Sequence, residues 1–347
     1  MPLRAGERFL TLQMAQAYHP VAPNGGTDEY RCFVLDPGLT RDSYLTGTQF
    51  QPQNPAVVHH AIFFYLPPGK VQQALDLDAS TPGQGWTCFG GAGVGNDQVQ
   101  DLNAVPWLGA WAPGGKEGVA PAGTGRMLEA GSRIVLQVHY NLLNLTQAPS
   151  LTDQSGVRLR LAPTTKPLKP LETLLLPAPV ELPCPAGQTG PLCQRSAAVL
   201  DVMQRFGPDA GQMVAGLQMF CGDGSGQPRP GPTQSCTWPV RQAEVIRGIA
   251  GHMHLLGRSI RVVLNPGTPS ARTLLDVPVY NFDNQNAHWL SKPVAVKPGD
   301  RLQVTCTHDA TLRQQLPQLR SLPPRYVVWG EGTSDEMCLA VVSWSSS

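Results

Sequence analysis

The sequence contains no CxxC pair, no run of basic residues, no internal repeat and no stretch approaching the roughly 18 apolar residues of a membrane span. Each absence removes a class of protein. Without CxxC, neither a zinc knuckle nor a thioredoxin-like redox pair is indicated. Without clustered Lys and Arg, and with a formal net charge of +1, there is no electrostatic footprint for nucleic acid or anionic lipid. Without a repeat, a propeller or solenoid is disfavoured. Charged residues make up only 15% of the chain, so the expected partner is a small molecule of little charge. The N-terminal stretch MPLRAGERFLTLQ also lacks the apolar core of a signal peptide.

What is present points to an all-β protein. Gly (36) and Pro (34) are abundant, which suits many short strands joined by turns. With 347 residues, 41% of them hydrophobic, the chain can bury a core and is expected to form two domains. The eight cysteines (Cys32, Cys88, Cys184, Cys193, Cys221, Cys236, Cys306, Cys338) are dispersed and even in number, which points to disulfides. Disulfides imply an oxidising compartment, so the expectation is a secreted, periplasmic or cell-surface protein whose signal segment is absent from this sequence.

Period-two apolar patterns recur at AVVHHAIFFYL (56–66), RIVLQVHYNL (133–142), SIRVVL (259–264), LLDVPVYNF (274–282), RLQVTC (301–306), RYVVW (325–329) and MCLAVVSW (337–344). Turn sequences such as NPGT, KPGD and LPPG bound them, so antiparallel sheets are predicted. Two helices are expected, KVQQALDLD (70–78) and SAAVLDVMQRF (196–206), the second capped by Ser196 and stopped by Gly207-Pro208. The Pro-rich segment 162–183 reads as a linker running into a second domain, which gives domains 1–164 and 165–347. GGAGVG (90–95) reads as a surface loop rather than a dinucleotide loop, and Asn144-Leu145-Thr146 is a glycosylation sequon.

Of eight histidines, five lie in the apolar strands: His59, His60, His139, His252 and His254. On a strand, residues i and i+2 share a face, so His252 and His254 can point at one ion while Met253 faces away. His59 and His60 are neighbours and would need a bulge, or different ring nitrogens, to do the same. His139 could complete a three-nitrogen set, and three imidazoles without carboxylates suit copper or zinc. For the second pair the third ligand is His288, His308 or Met337; a thioether would favour Cu(I).

The order VVHHAIFF, LQVHYN, GHMHLLG, SDEMC resembles the copper type II, ascorbate-dependent monooxygenases, the family of peptidylglycine α-hydroxylating monooxygenase and dopamine β-monooxygenase. YRC (30–32), GWTC (85–88) and VAPAGTGRMLEAGS (119–132) extend the match, which is weakest over 184–235. The resemblance implies two tandem jelly-roll-like antiparallel β-sandwich domains with a solvent-filled cleft between them, and two copper ions. His59, His60 and His139 would bind the electron-storing copper. His252, His254 and Met337 would bind the copper where dioxygen and substrate meet. Gln137 and Tyr30 match positions near the first site. Cys32–Cys88 and Cys306–Cys338 match family disulfides, while the family's cysteine in the strand after the HH pair is replaced here. Cys236 matches a cysteine whose usual partner falls outside this sequence, so Cys221–Cys236 is expected, with Cys184–Cys193 as a local loop; four cysteines allow three pairings.

The reaction implied is hydroxylation of an unactivated C–H bond with O2, the electrons coming from ascorbate or another one-electron reductant. Where peptide-hydroxylating members carry an arginine, an asparagine and a tyrosine that anchor a substrate carboxylate, this chain has Ala250, Leu339 and Val341. A glycine-extended peptide would lose the pairing of its charge, so the expected substrate is less polar or differently anchored. The alternative is a copper-binding or electron-transfer protein on the same scaffold that does not hydroxylate.

Overall fold

The computed structural model describes residues 1–23, 26–81, 83–88, 90–94, 106–143, 151–222 and 225–346; the Asn144 sequon lies outside them. The protein is built mostly from antiparallel strands, the all-β class that its turn-rich composition predicts. The strands are β1 (Arg8–Gln13), β2 (Asp28–Leu35), β3 (Ser43–Gln51), β4 (Val58–Leu66), β5 (Trp86–Thr87), β6 (Trp107–Trp111), β7 (Gly118–Val119), β8 (Thr124–Leu128), β9 (Arg133–Asn141), β10 (Gly156–Pro163) and β11 (Lys169–Pro177). They continue as β12 (Glu181–Leu182), β13 (Thr233–Pro239), β14 (Glu244–His252), β15 (Gly257–Leu264), β16 (Arg272–Val277), β17 (His288–Val296), β18 (Arg301–His308), β19 (Val327–Val328) and β20 (Leu339–Ser346). The α-helices are α1 (Val71–Ala79), α2 (Arg195–Phe206), α3 (Pro208–Cys221) and the single-turn α4 (Leu312–Gln315). The described chain divides into two compact units, one comprising Met1–Thr173 with Ser343–Ser346 and the other Leu174–Val342.

In the first unit β9 is the central strand of a five-stranded sheet ordered β5-β2-β9-β4-β6. A central strand is buried on both faces, which is why RIVLQVHYN reads as a near-continuous apolar run. Its two faces nevertheless do different things. Ile134, Leu136, Val138 and Tyr140 enter the main core with Phe33, Leu35, Phe63, Leu159 and Leu161. Val135 lies on the other face, in a second cluster with Cys32, Phe64, Trp86 and Cys88, and period two puts Gln137 and His139 on this side as well. Ala92 and Val94 of the GGAGVG stretch are buried in that cluster, so the segment is a core-filling loop rather than a surface one.

In the second unit β15 lies inside a four-stranded sheet, β13-β18-β15-β16, while β14 runs between β20 and β17. Cys306, in β18, bonds to Cys338, the residue before β20. The other disulfides are Cys32–Cys88, Cys184–Cys193 and Cys221–Cys236.

Five further local expectations differ from the structure. Helix α2 starts one residue early, with Gln194 in the extended N-cap position and no side-chain cap, because a turn closed by Cys184–Cys193 leads directly into it. Gly207, at φ 92°, ends α2, but Pro208 then opens α3 rather than only stopping its predecessor, as a proline at the first helical position can. The strand at 274–282 stops at Val277, before Pro278, and that at 325–329 shrinks to Val327–Val328. The supposed linker at 162–183 is mostly strand, β11 and β12, with Pro170 seated at the start of β11 and Pro177 at its end.

Replacing both Cys306 and Cys338 by Ser opens a crosslink spanning 32 residues. The loop-entropy account gives a loss of about 3–4 kcal/mol, to be read from denaturant unfolding of the two proteins; a loss under about 1 kcal/mol would count against the bridge as a stabilising element.

Candidate metal centres

The register of β4 on β9 slips by one residue between Val58 and His60. Such a bulge releases a side chain from strict alternation, so His59 turns to the side that His60 already faces. His60 pairs across the ladder with His139, and Tyr30 of β2 pairs with His139 from the other flank. The result is a triangle of Nδ1 atoms: His59 to His139 3.1 Å, His59 to His60 3.2 Å, and His60 to His139 3.2 Å. His139 and His59 are buried and His60 is half-buried.

The triangle's chemistry follows from its donors. A neutral imidazole nitrogen carries either a proton or a lone pair, so among three in mutual contact at least two are alike and repel. Nε2–H of His139 donates to the buried carboxylate of Asp28 at 2.8 Å, which leaves the His139 Nδ1 as a lone pair facing inward. The Tyr30 hydroxyl lies 3.1 Å from that nitrogen, its ring stacked on the imidazole at 4.2 Å between centroids. Points 3.1–3.2 Å apart lie about 1.8 Å from their common centre, and a position slightly out of plane meets the roughly 2.0 Å of a metal–imidazole bond. The group can hold one metal ion, and three nitrogens without a carboxylate suit copper or zinc.

Gln137 shares this strand face but serves a different partner. Its amide donates to the Gly91 carbonyl at 3.2 Å and approaches the Cys88 sulfur at 3.4 Å, bracing the loop that the Cys32–Cys88 bridge ties to β2.

In the second unit β14 ends at His252, and His254 lies just beyond it; the two rings are 5.2 Å apart and nearly perpendicular. Met253 points the other way and is fully buried, its main chain gripped by the Tyr280 hydroxyl, which accepts from Met253 N–H and donates to its carbonyl. Nδ1–H of His252 donates to Gln285 Oε1 at 2.6 Å, and the amide of Gln285 is oriented by its own donation to the Phe282 carbonyl. Nδ1–H of His254 donates to the Asp335 carbonyl at 3.2 Å. Both rings therefore direct an Nε2 lone pair elsewhere, the reverse of the first cluster. The Nε2 of His254 is buried and makes no hydrogen bond among the described residues.

Glu336, which sequence reasoning passed over, binds this region together. Its carboxylate has no exposure, and its Oε2 accepts from the N–H groups of His254 (2.9 Å) and Met337 (3.1 Å) while Oε1 accepts from Leu256 N–H (2.5 Å). Burial alone would raise its pKa. The hydrogen bond from His308 and the main-chain N–H of His254 outweigh burial and hold the group below the usual carboxylate range. His308 Nε2 also donates to the Met337 carbonyl at 3.3 Å, so His308 fixes the Met337 main chain. Behind this, Arg205 of α2 makes a two-pronged bond to Asp335 (2.6 and 2.8 Å), and Arg313 donates to the Ser334 carbonyl. Gly332 lies against this pair: a Cβ there would come within 2.8 Å of both Arg205 Nη1 and Asp335 Oδ2, so a side chain would displace them.

Of the expected substrate positions, Ala250 and Val341 are half-buried and Leu339 is buried. His288 is exposed at the head of β17, and His19 bonds to the Leu151 carbonyl. The missed residues, Asp28, Glu336 and Gln285, had one usable signal. Asp28 and Glu336 are acids next to the motifs YRC and MCLAVV, where a charge can be buried only with dedicated partners.

These features define an all-β, disulfide-braced protein in which His59, His60 and His139 converge closely enough to hold a metal ion. Residues 233–345, about a third of the chain, match the family described as copper type II ascorbate-dependent monooxygenase, C-terminal domain. The matched stretch contains His252, His254 and Met337. Among solved structures, the major capsid protein P2 from bacteriophage PM2 aligns over 98% of this chain and 97% of its own at 8% identity, with a TM-score of 0.30. An allantoicase from Saccharomyces cerevisiae aligns over 95% and 80% at 12% identity and 0.20. Likenesses at these scores bear on neither fold nor activity.

Replacing Glu336 by Leu strips three main-chain N–H groups of their acceptor and is expected to cost about 3–5 kcal/mol in denaturant unfolding, against about 1–3 kcal/mol for Glu336→Gln. Two variants as stable as the parent would remove Glu336 from this role.

Proposed function

We propose that the chain is a copper-dependent monooxygenase that hydroxylates an unactivated C–H bond with O2 and electrons from ascorbate or another external reductant, outside the cytosol. In this reading an N-terminal domain holds one copper ion through Nδ1 of His59, His60 and His139. A C-terminal domain holds the second through Nε2 of His252 and His254 with the thioether of Met337. The observation that carries the reading is the convergence of three Nδ1 atoms within 3.2 Å of one another. The family match over the domain that contains His252, His254 and Met337 supports it.

Copper at these positions would supply dioxygen activation and one-electron storage. The protein's own groups prepare the sites. Asp28 accepts a hydrogen bond from Nε2–H of His139 and so keeps Nδ1 as a lone pair. Gln285 and the Asp335 carbonyl do the same work from the opposite ring edge for His252 and His254. Glu336 sets the His254 and Met337 main chains at one fixed separation. A thioether is a weak, soft donor, which favours the reduced ion and leaves room for O2. Ala250 and Val341 offer a half-buried apolar surface and no group to pair with a carboxylate, which supports a less polar substrate than a glycine-extended peptide.

The test is copper stoichiometry combined with ascorbate-dependent O2 uptake over a substrate panel. Two coppers per chain with uptake coupled to product are expected, and no turnover of a glycine-extended peptide. Two coppers with uptake that ends only in peroxide would favour the copper-binding or electron-transfer alternative. Met337→Ile is expected to abolish coupled turnover while one copper is retained; retained turnover counts against the assignment of Met337. Asp28→Asn is expected to weaken copper at the three-histidine site by about tenfold to a hundredfold in competition with a chelator, leaving the other site unchanged. An equal loss at both sites would show that Asp28 acts on the fold instead.

A further inference from the structure

We infer that Trp289 is a specificity-determining residue that receives an uncharged aryl or alkyl tail of the substrate; the inference rests on the hydroxylase reading above. Its ground is the pairing of β14 with β17. The register shifts between Ile246 and Gly248, and beyond that bulge Gly248 faces Trp289 and Ile249 faces His288. Directly opposed residues of an antiparallel pair project to the same side. The Trp289 ring is swung over Gly248, where a Cβ would lie 2.5 Å from its Cε3 and 2.7 Å from its Cζ3. Period two then puts Gly248, Ala250 and His252 on one face. The intervening residues face the other way, with Ile249 buried and Gly251 packed against Ile260.

Along this face the chain therefore presents an indole, a glycine, an alanine and then the imidazole of His252. No charged side chain interrupts that series. The indole is 37% exposed and rests on a glycine that has no side chain to cover it, while Ala250 and His252 are half-buried. An indole has a large apolar face that can pack against an apolar group laid over it. Four residues of strand separate Gly248 from His252, about 13 Å at roughly 3.3 Å per residue. The face thus fits a molecule whose reacting carbon sits at His252 and whose neutral tail runs over Ala250 to the indole. Trp289 touches that tail and not the reacting atoms, so its contribution falls on binding.

The experiment uses ω-phenylalkyl alcohols with two to six methylenes as probes, measured by quenching of tryptophan fluorescence in the metal-free and the copper-loaded protein. Dissociation constants are expected to tighten about three- to fourfold per methylene until the tail reaches the indole. Trp289→Ala should flatten the series, Trp289→Phe should keep part of it, and Gly248→Ala, which displaces the ring, should weaken the longer members selectively. All three variants should keep the copper content of the parent. For any member that is turned over, KM should rise with kcat little changed. An undiminished gradient in Trp289→Ala, or no gradient in the parent, overturns the inference. A gradient in a protein that takes up no copper would uphold the tail site and remove the hydroxylase reading instead.

Discussion

Three imidazole nitrogens stand 3.1–3.2 Å apart, so at least two of them present like groups to each other. The first unit is organised around producing that convergence. A central strand brings His139 between its two neighbours, and the bulge at His59 adds a third nitrogen that regular alternation would have sent into the main core. Asp28 then fixes the tautomer, because while Nε2–H of His139 donates to that carboxylate, Nδ1 of the neutral ring is a lone pair and cannot donate. The side of the sheet that carries the cluster has its own small core, pinned by Cys32–Cys88, so the rings are held by packing as well as by hydrogen bonds.

The second unit reaches a similar end with a different device. Its two histidines sit where a strand runs out, so the ladder cannot orient them. Glu336 replaces the ladder, accepting main-chain N–H groups from His254, Leu256 and Met337 at once. An ionised carboxylate without exposure is tolerable only with such a set of donors, and the set consists of the segments that must be brought together. The arginines behind Asp335 continue this logic outward, and one of them, Arg205, comes from α2, in the stretch where the motif resemblance is weakest. Divergent sequence there still has the task of holding the Met337 loop.

The all-β class was legible because composition and period-two patterns are local properties, and so was the family, whose motifs are short and ordered along the chain. Strand parity showed that His252 and His254 could face one ion, and that His59 and His60 needed a bulge to do so. Which ring nitrogens face inward was not legible, because that depends on Asp28, Gln285 and the Asp335 carbonyl, all brought in from other segments. Helix α3 was hidden by Pro208, which reads equally well as the stop of one helix or the first residue of the next. Glu336 was hidden by its neighbour: beside Met337 and Cys338 an acid looks like a loop residue until the fold shows it buried.

The two halves of the functional problem are held by different parts of the molecule. Asp28, Asp335 and Glu336, which orient the imidazoles, are buried and bond largely to main chain or to other buried side chains, so changing one disturbs several. The face that runs from Gly248 to His252 is made of small side chains on the side of β14 away from its core packing. A substitution there, of the kind seen at Ala250, alters what can lie against the strand without reaching Glu336, Asp335 or Gln285. On the proposed reading, the chemistry of the metal sites can persist while the substrate changes, because the strand that ends in His252 would carry both, one at its tip and the other along its face.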